Sequence, residues 1–268
     1  MKEILTLLIA LTMLPIATLA QENENEYELR HQEKEGWIID KQGHKTEGIV
    51  KLMGSFDTPW INQQKVRFIA RSAIDPNKKR QKLQVLDVND LQAYAAYDND
   101  VLRQFELIKY TNFREANKGR ESGGIGGKIK VLNNLTASTS MAETIVNGPI
   151  TVYKLYGIPT SIAANSDEIQ QMEKDIRNIK MNPSILVAKN SGKVEPLSSK
   201  NFKKLTEDCE HVRAKMLQNE YASYRVEKEE KKRSKLGSLI KDEAELDSAK
   251  IQNMAVEIFT DYNANCSK

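Results

Sequence analysis

The chain is poor in the residues that most often announce a reaction. It has 3 histidines, at 31, 44 and 211, and 2 cysteines, at 209 and 266, in 268 residues. The histidines show no paired spacing of the HExxH type, which excludes the common helical zinc motif. No GxSxG elbow occurs, so a serine hydrolase of that class has no motif behind it. No strong excess of one charge sign is present either: 40 Lys and Arg stand against 37 Asp and Glu, a net +3. Nucleic acid recognition needs a basic surplus gathered on one face, and here basic residues alternate with acidic ones, so no nucleic acid partner is expected.

Long apolar runs are also missing, except at the start. Lys2 supplies a short positive end and Ile4 to Leu14 an apolar core. Pro15 then breaks the helix, and Thr18-Leu19-Ala20 offers small residues at cleavage positions. This is the pattern of a secretory signal peptide over residues 1–20. The run is too short and too interrupted for a comfortable bilayer span, and no cysteine follows it to carry a lipid. The expectation is an exported protein, periplasmic, outer-surface or extracellular, with no transmembrane span after signal removal. Removing 20 of the 268 residues leaves 248, enough for a real core.

Residues 21–35, rich in Glu, Asn and Gln, read as a flexible leader. From Gly36 to about residue 160, short apolar segments alternate with turn residues at hairpin spacing. Gly36 to Asp40 and Thr46 to Met53 flank Lys41-Gln42-Gly43. In Lys65 to Arg71, Val66, Phe68 and Ala70 share one face. Leu83 to Asp87, Gln92 to Tyr97, Val101 to Tyr110, Ile129 to Ala137, Glu143 to Val146 and Ile150 to Tyr156 continue the pattern. The last two are joined at Asn147-Gly148-Pro149.

Beyond residue 161 the period changes. Asn165 is a possible cap for a helix whose stripe is Ile169, Met172, Ile176 and Ile179. Ser184 to Ala188 and Lys193 to Leu197 form one short hairpin around Asn190-Ser191-Gly192. Phe202, Leu205, Cys209, Val212 and Met216 then recur at helical spacing, with room for a bend at Glu207-Asp208. Ile251, Met254, Ala255, Ile258 and Tyr262 make a second stripe, and the two helices are expected to pack together. Val226 to Lys241, dense in mixed charge, reads as a solvated helix. The fold class is α+β: an antiparallel β sandwich or partly open barrel, followed by a helical C-terminal region.

Several segments strung in order carry a resemblance: Gly36-Trp37-Ile38-Ile39-Asp40, Gly48-Ile49-Val50, Pro59-Trp60, Asn147-Gly148-Pro149-Ile150-Thr151-Val152-Tyr153, and Phe202-Lys203-Lys204-Leu205-Thr206-Glu207-Asp208-Cys209. Together they resemble uncharacterised exported proteins of Bacteroidetes-type bacteria, which have an early strand hairpin and a helical tail with an Asp-Cys element. The helix at 165–180 and the charged stretch at 226–241 are longer than that pattern. The resemblance implies a compartment and an architecture and brings no catalytic residue.

The remaining candidates weaken on inspection. Gly119 to Lys128 invites a phosphate-loop reading, but Ser122 and Ile129 stand where Gly and Ser or Thr are needed. Asp98-Asn99-Asp100 lacks the other positions of a calcium loop and suits a turn. No cofactor is expected. Trp37, Trp60, Tyr94, Tyr97, Tyr153 and Tyr156 could form a sugar-stacking face only if they shared an exposed side. Cys209 with His211 hints at a thiol nucleophile, yet residues two apart on a helix point apart. An even cysteine count in an exported chain favours a Cys209–Cys266 disulfide instead. The sequence therefore suggests an envelope or surface module that binds a protein or glycan without catalysis. The rival is an exported hydrolase with an unidentified carboxylate or thiol site.

Overall fold

The computed structural model describes residues 27–78, 80–98, 101–110, 138–159, 166–224 and 248–266. The signal segment expected at 1–20, the Gly119 to Lys128 stretch, the strand expected at 129–137, the expected Asn165 cap, Asn99, Asp100 and the charged run 226–241 lie outside these residues.

Ten strands form one antiparallel sheet. In chain order they are β1 (Glu33–Asp40), β2 (Lys45–Leu52), β3 (Lys65–Ala70), β4 (Gln84–Asp87), β5 (Leu91–Asp98), β6 (Val101–Tyr110), β7 (Ser138–Val146), β8 (Ile150–Leu155), β9 (Ser184–Lys189) and β10 (Glu195–Pro196). Spatially the order is β10-β9-β8-β7-β6-β5-β1-β2-β3-β4, and β4 and β10 are not paired, so the sheet is open. Among the described residues four helices accompany it: α1 (Ser166–Met181), α2 (Ser199–Leu205), α3 (Glu210–Gln218) and α4 (Ser248–Asn265). This is an α+β fold. The sheet runs across residue 160, because β9 pairs with β8 along its whole length. The hairpin expected among the helices thus belongs to the same sheet as the N-terminal strands. The first strand begins at Glu33, inside the segment expected as leader.

The hairpins follow their turn residues. Asp40 accepts from the backbone N–H of Gln42 and His44, which closes the β1–β2 turn. Gly36 lies opposite Gly48 in the register. A Cβ at either would fall on a backbone carbonyl oxygen of the neighbouring strand, so only glycine lets the strands approach there.

Alternation then sorts the strands into two cores on opposite faces. Val50, Val66, Phe68, Tyr94, Phe105 and Met141 pack on one face, with Tyr94 stacked on Phe105 at 4.6 Å. The buried Tyr94 hydroxyl donates to the Asn62 carbonyl at 2.5 Å. The 3-10 turns Pro59–Gln63 and Val88–Asp90 touch β7, so the β1–β7 part of the sheet coils around this core. Ile108, Tyr110, Ala142, Tyr153, Leu155, Leu186 and Ala188 pack on the other face. Phe105 and Ile108 are three apart, and Met141 and Ala142 are adjacent, which is how single strands serve both cores.

A third core joins helices to the sheet. Val146, Ile150, Val152, Ile185 and Val187 meet Phe202, Val212 and Met216 of α2 and α3, and Met254, Ile258 and Phe259 of α4. The helical stripe from Phe202 to Met216 bends at Thr206 to Cys209, the place where Glu207-Asp208 left room for it. There Thr206 Oγ1 bonds back to the Phe202 carbonyl at 2.8 Å, and the Cys209 side chain caps α3 by accepting from Val212 N–H. The α1 stripe is shallower than its pattern suggests: Ile169 is exposed, while Met172, Ile176 and Ile179 are half-buried.

The loop Ile74–Gln81 belongs to a second, small unit. Within it Asn77 N–H donates to the Asp75 carboxylate at 3.0 Å and closes a turn at Asp75-Pro76-Asn77. The Gln81 amide bonds both backbone groups of Asp75.

Candidate functional site

β5 pairs with β6 only as far as Glu106. Beyond it, the last four residues of β6 are paired with β7 on one side. Among the described residues, their other edge is met at a single point, an isolated parallel bridge from Tyr110 to Val194 just before β10. β6 and β10 stand four places apart in the sheet, and this bridge brings the end of β6 beside the start of β10, on the face that carries Ile108, Ala142, Tyr153 and Leu186. At the incomplete seam lies a hollow of about 840 Å³. That volume is in the range of small-ligand sites, roughly 300–1,000 Å³.

The polar chemistry of the hollow centres on Glu106. Alternation along β6 places it on the same face as Ile108 and Tyr110, an unusual position for a carboxylate. Tyr153, on β8, donates its hydroxyl to Glu106 Oε2 at 3.1 Å, and Gln104 Nε2 donates to Oε1 at 2.5 Å. Burial pushes the Tyr153 phenol up, and the Glu106 charge and hydrogen bond push it further, so Tyr153 remains a donor across the ordinary pH range. Glu106 is the only carboxylate among the described lining residues. Thr151 donates to the Gly148 carbonyl at 2.8 Å.

Two turns form the mouth: Asn147-Gly148 before β8 and Ser191-Gly192-Lys193 after β9. They are bound to each other through Asn190 N–H and the Pro149 carbonyl at 2.6 Å. Gly148 has φ +147°, and a Cβ there would sit 2.5 Å from Asn263 Nδ2. Asn263, in the last turn of α4, treats Ile150 as a strand would. Its Oδ1 accepts from Ile150 N–H at 2.9 Å and its Nδ2 donates to Ile150 O at 2.8 Å.

The end of α4 is itself anchored. A disulfide joins Cys209 to Cys266, with Cα atoms 5.7 Å apart, and no free cysteine is left. The thiol candidate at Cys209 is therefore consumed. His211 turns instead toward Asp261, Nε2 to Oδ1 at 3.4 Å. Asp261 also receives Lys215 Nζ at 2.7 Å and the Tyr221 hydroxyl at 2.5 Å. Burial raises the Asp261 pKa, but the Lys215 and Tyr221 hydrogen bonds outweigh it and bring it down to about 2. Glu257, one turn earlier, accepts from the backbone N–H of Ala222 and Ser223 and from the Ser223 hydroxyl. These contacts staple the segment after α3 to α4. Asp208 completes the set with Lys189 at 2.7 Å and Tyr262 at 3.0 Å.

The other sequence candidates disperse. Trp60 and Tyr94 are buried, Tyr97 is exposed, Trp37 lies under Lys45, and Tyr156 under Lys154, so these aromatics share no exposed face with Tyr153. Asp98 pairs with Lys34 and Arg103. His44 bonds Asp40 within a turn. No metal-capable cluster of His, Cys, Asp and Glu occurs among the described residues. Sequence reasoning missed the Glu106 and Tyr153 pair. The available signal was a charged residue on the apolar face of Val101 to Tyr110.

Compared with known proteins, the chain matches no family model, no curated protein and no solved structure.

Proposed function

We propose that this chain is an exported envelope or surface module that binds a protein or glycan partner without catalysis, and that the hollow at the β6–β10 seam is its binding site. The observation that carries the reading is the state of Glu106. Both its oxygens already hold hydrogen bonds from Tyr153 and Gln104, and no second carboxylate stands among the described lining residues. Carboxylate-based glycoside hydrolysis uses a pair of such groups flanking the bond. A carboxylate held by fixed donors suits recognition, where prepaid order lowers the cost of binding.

Export is supported by the signal pattern at residues 1–20 and by the disulfide, which persists in oxidising compartments. No helix among the described residues is long and apolar enough to cross a membrane. The resemblance to exported Bacteroidetes-type proteins agrees with this compartment. The partly open barrel is our reading of the β6–β10 curl, supported by the Tyr110 to Val194 bridge.

The test is to screen the oxidised chain against peptide and glycan arrays and to follow each bound probe by mass spectrometry. Reversible, saturable binding with the probe recovered unchanged is expected, and Ala188→Trp, which fills the hollow, removes it. Conversion of a probe to product that is lost in Glu106→Gln would overturn the reading in favour of the hydrolase.

A further inference from the structure

We infer that the seam takes an extended, acidic segment of a partner protein, which pairs with the edge of β6 that no described strand covers and becomes an added strand. The inference rests on the binding role proposed for the hollow and names its ligand.

Three observations select a strand over a sugar. First, the edge of β6 from Leu107 to Tyr110 carries backbone donors and acceptors with no partner strand among the described residues except at Tyr110. An unpaired edge is a template for another chain, and the three residues Leu107 to Lys109 offer about 10 Å of it. Second, the rings that a sugar would stack on are withdrawn: Tyr110 and Tyr153 are each only 8% exposed. Third, the two sides of the seam carry cations. Lys109 on β6 and Lys193 in the turn after β9 are both exposed, and the contact of Lys193 with Glu195 is long, at 3.9 Å. An acidic side chain on the incoming strand complements both, while apolar side chains on its other face reach Ile108, Ala188 and Val194.

Ends of the seam are fixed before a ligand arrives. Asn263 holds the β7–β8 turn, and the Asn190 to Pro149 bond holds the β9–β10 turn against it. The slot is therefore bounded by preset turns, which limits what an entering segment must order.

The experiment selects ten-residue peptides from a phage-displayed random library on the oxidised chain, with a glycan array in parallel. Enrichment of Asp- or Glu-bearing peptides is expected. The double substitution Lys109→Glu with Lys193→Glu should weaken their binding at least tenfold, and both positions are exposed enough to leave folding intact. Bound peptide should slow hydrogen exchange in Leu107 to Tyr110 at least tenfold. Ala188→Trp should abolish binding, and the charge-reversed pair decides the matter if that variant fails to fold. Neutral or basic peptides, or protection at another edge, would overturn the inference. Glycan binding lost in Ala188→Trp would also overturn it while leaving the non-catalytic role standing, and absence of either ligand would remove both.

Discussion

Replacing Cys266 by Ser should cost the chain about 4 kcal/mol. The Cys209–Cys266 bond closes a loop with a sequence separation of 57. The chain-entropy relation assigns a loop of that length about 4 kcal/mol at 25 °C. Cys266 is the better position to change, because Cys209 is 3% exposed and its sulfur also caps α3 through Val212 N–H. C266S thus removes the cross-link and leaves the cap in place. The helices it ties still share a core of Phe202, Val212, Met216, Met254, Ile258 and Phe259, so the native state should survive with a smaller margin. For a chain of this size, about 4 kcal/mol corresponds to a melting temperature lower by about 8–16 °C. Calorimetry of wild type with and without dithiothreitol, beside C266S, measures this. Reduced wild type and C266S should melt together. A change under about 2 °C would refute the loop argument, and two free thiols in the denatured, unreduced chain would refute the bond itself.

Other expectations follow from the same contacts. Phe259→Ala removes a fully buried ring stacked on Phe202 at 5.1 Å and should destabilise by about 3–5 kcal/mol in urea titration, whereas an effect under about 1 kcal/mol would mean that α4 is not seated as described. Asn263→Ala should cost about 1–3 kcal/mol and raise the exchange rate of the Ile150 amide, and an unchanged rate would show that the clamp does not hold the turn. Asp261 is depressed in the folded state, so its contribution is full above the ordinary carboxylate pKa and is lost as pH falls toward 2. With its solvent contact discounted, this amounts to about 1 kcal/mol, and Asp261→Asn should flatten the stability profile between about pH 4 and 2. An identical acid limb in that variant would assign the loss elsewhere.

What could be read from the sequence was local. Lys41-Gln42-Gly43, Asn147-Gly148-Pro149 and Asn190-Ser191-Gly192 mark hairpins because their residues tolerate turn geometry, and all three turns occur. Val66 and Phe68 declare the buried face of β3 by simple alternation. The cysteine pair was accessible because two helical stripes imply a seam. Long-range pairing leaves no such trace. Nothing near Tyr110 announces Val194, and Glu106 and Tyr153 are 47 residues apart. A strand that serves opposite cores at Phe105 and Ile108 also looks the same, in sequence, as one that serves a single core. The break between α2 and α3 falls at Glu207-Asp208, where the sequence left room for a bend, and Thr206 bonding back to Phe202 closes the first helix there.

The clamp of Asn263 on Ile150 spans 113 residues, and this distance orders events in time. Hairpins β1–β2, β7–β8 and β9–β10 need only neighbouring segments and can pair as soon as they emerge. The β7–β8 turn at the mouth of the hollow must wait for α4, which the Cys209–Cys266 bond then ties to the start of α3. A chain halted before that step would carry its strands with the rim of the hollow unset. The rim is thereby among the last parts of the fold to be set.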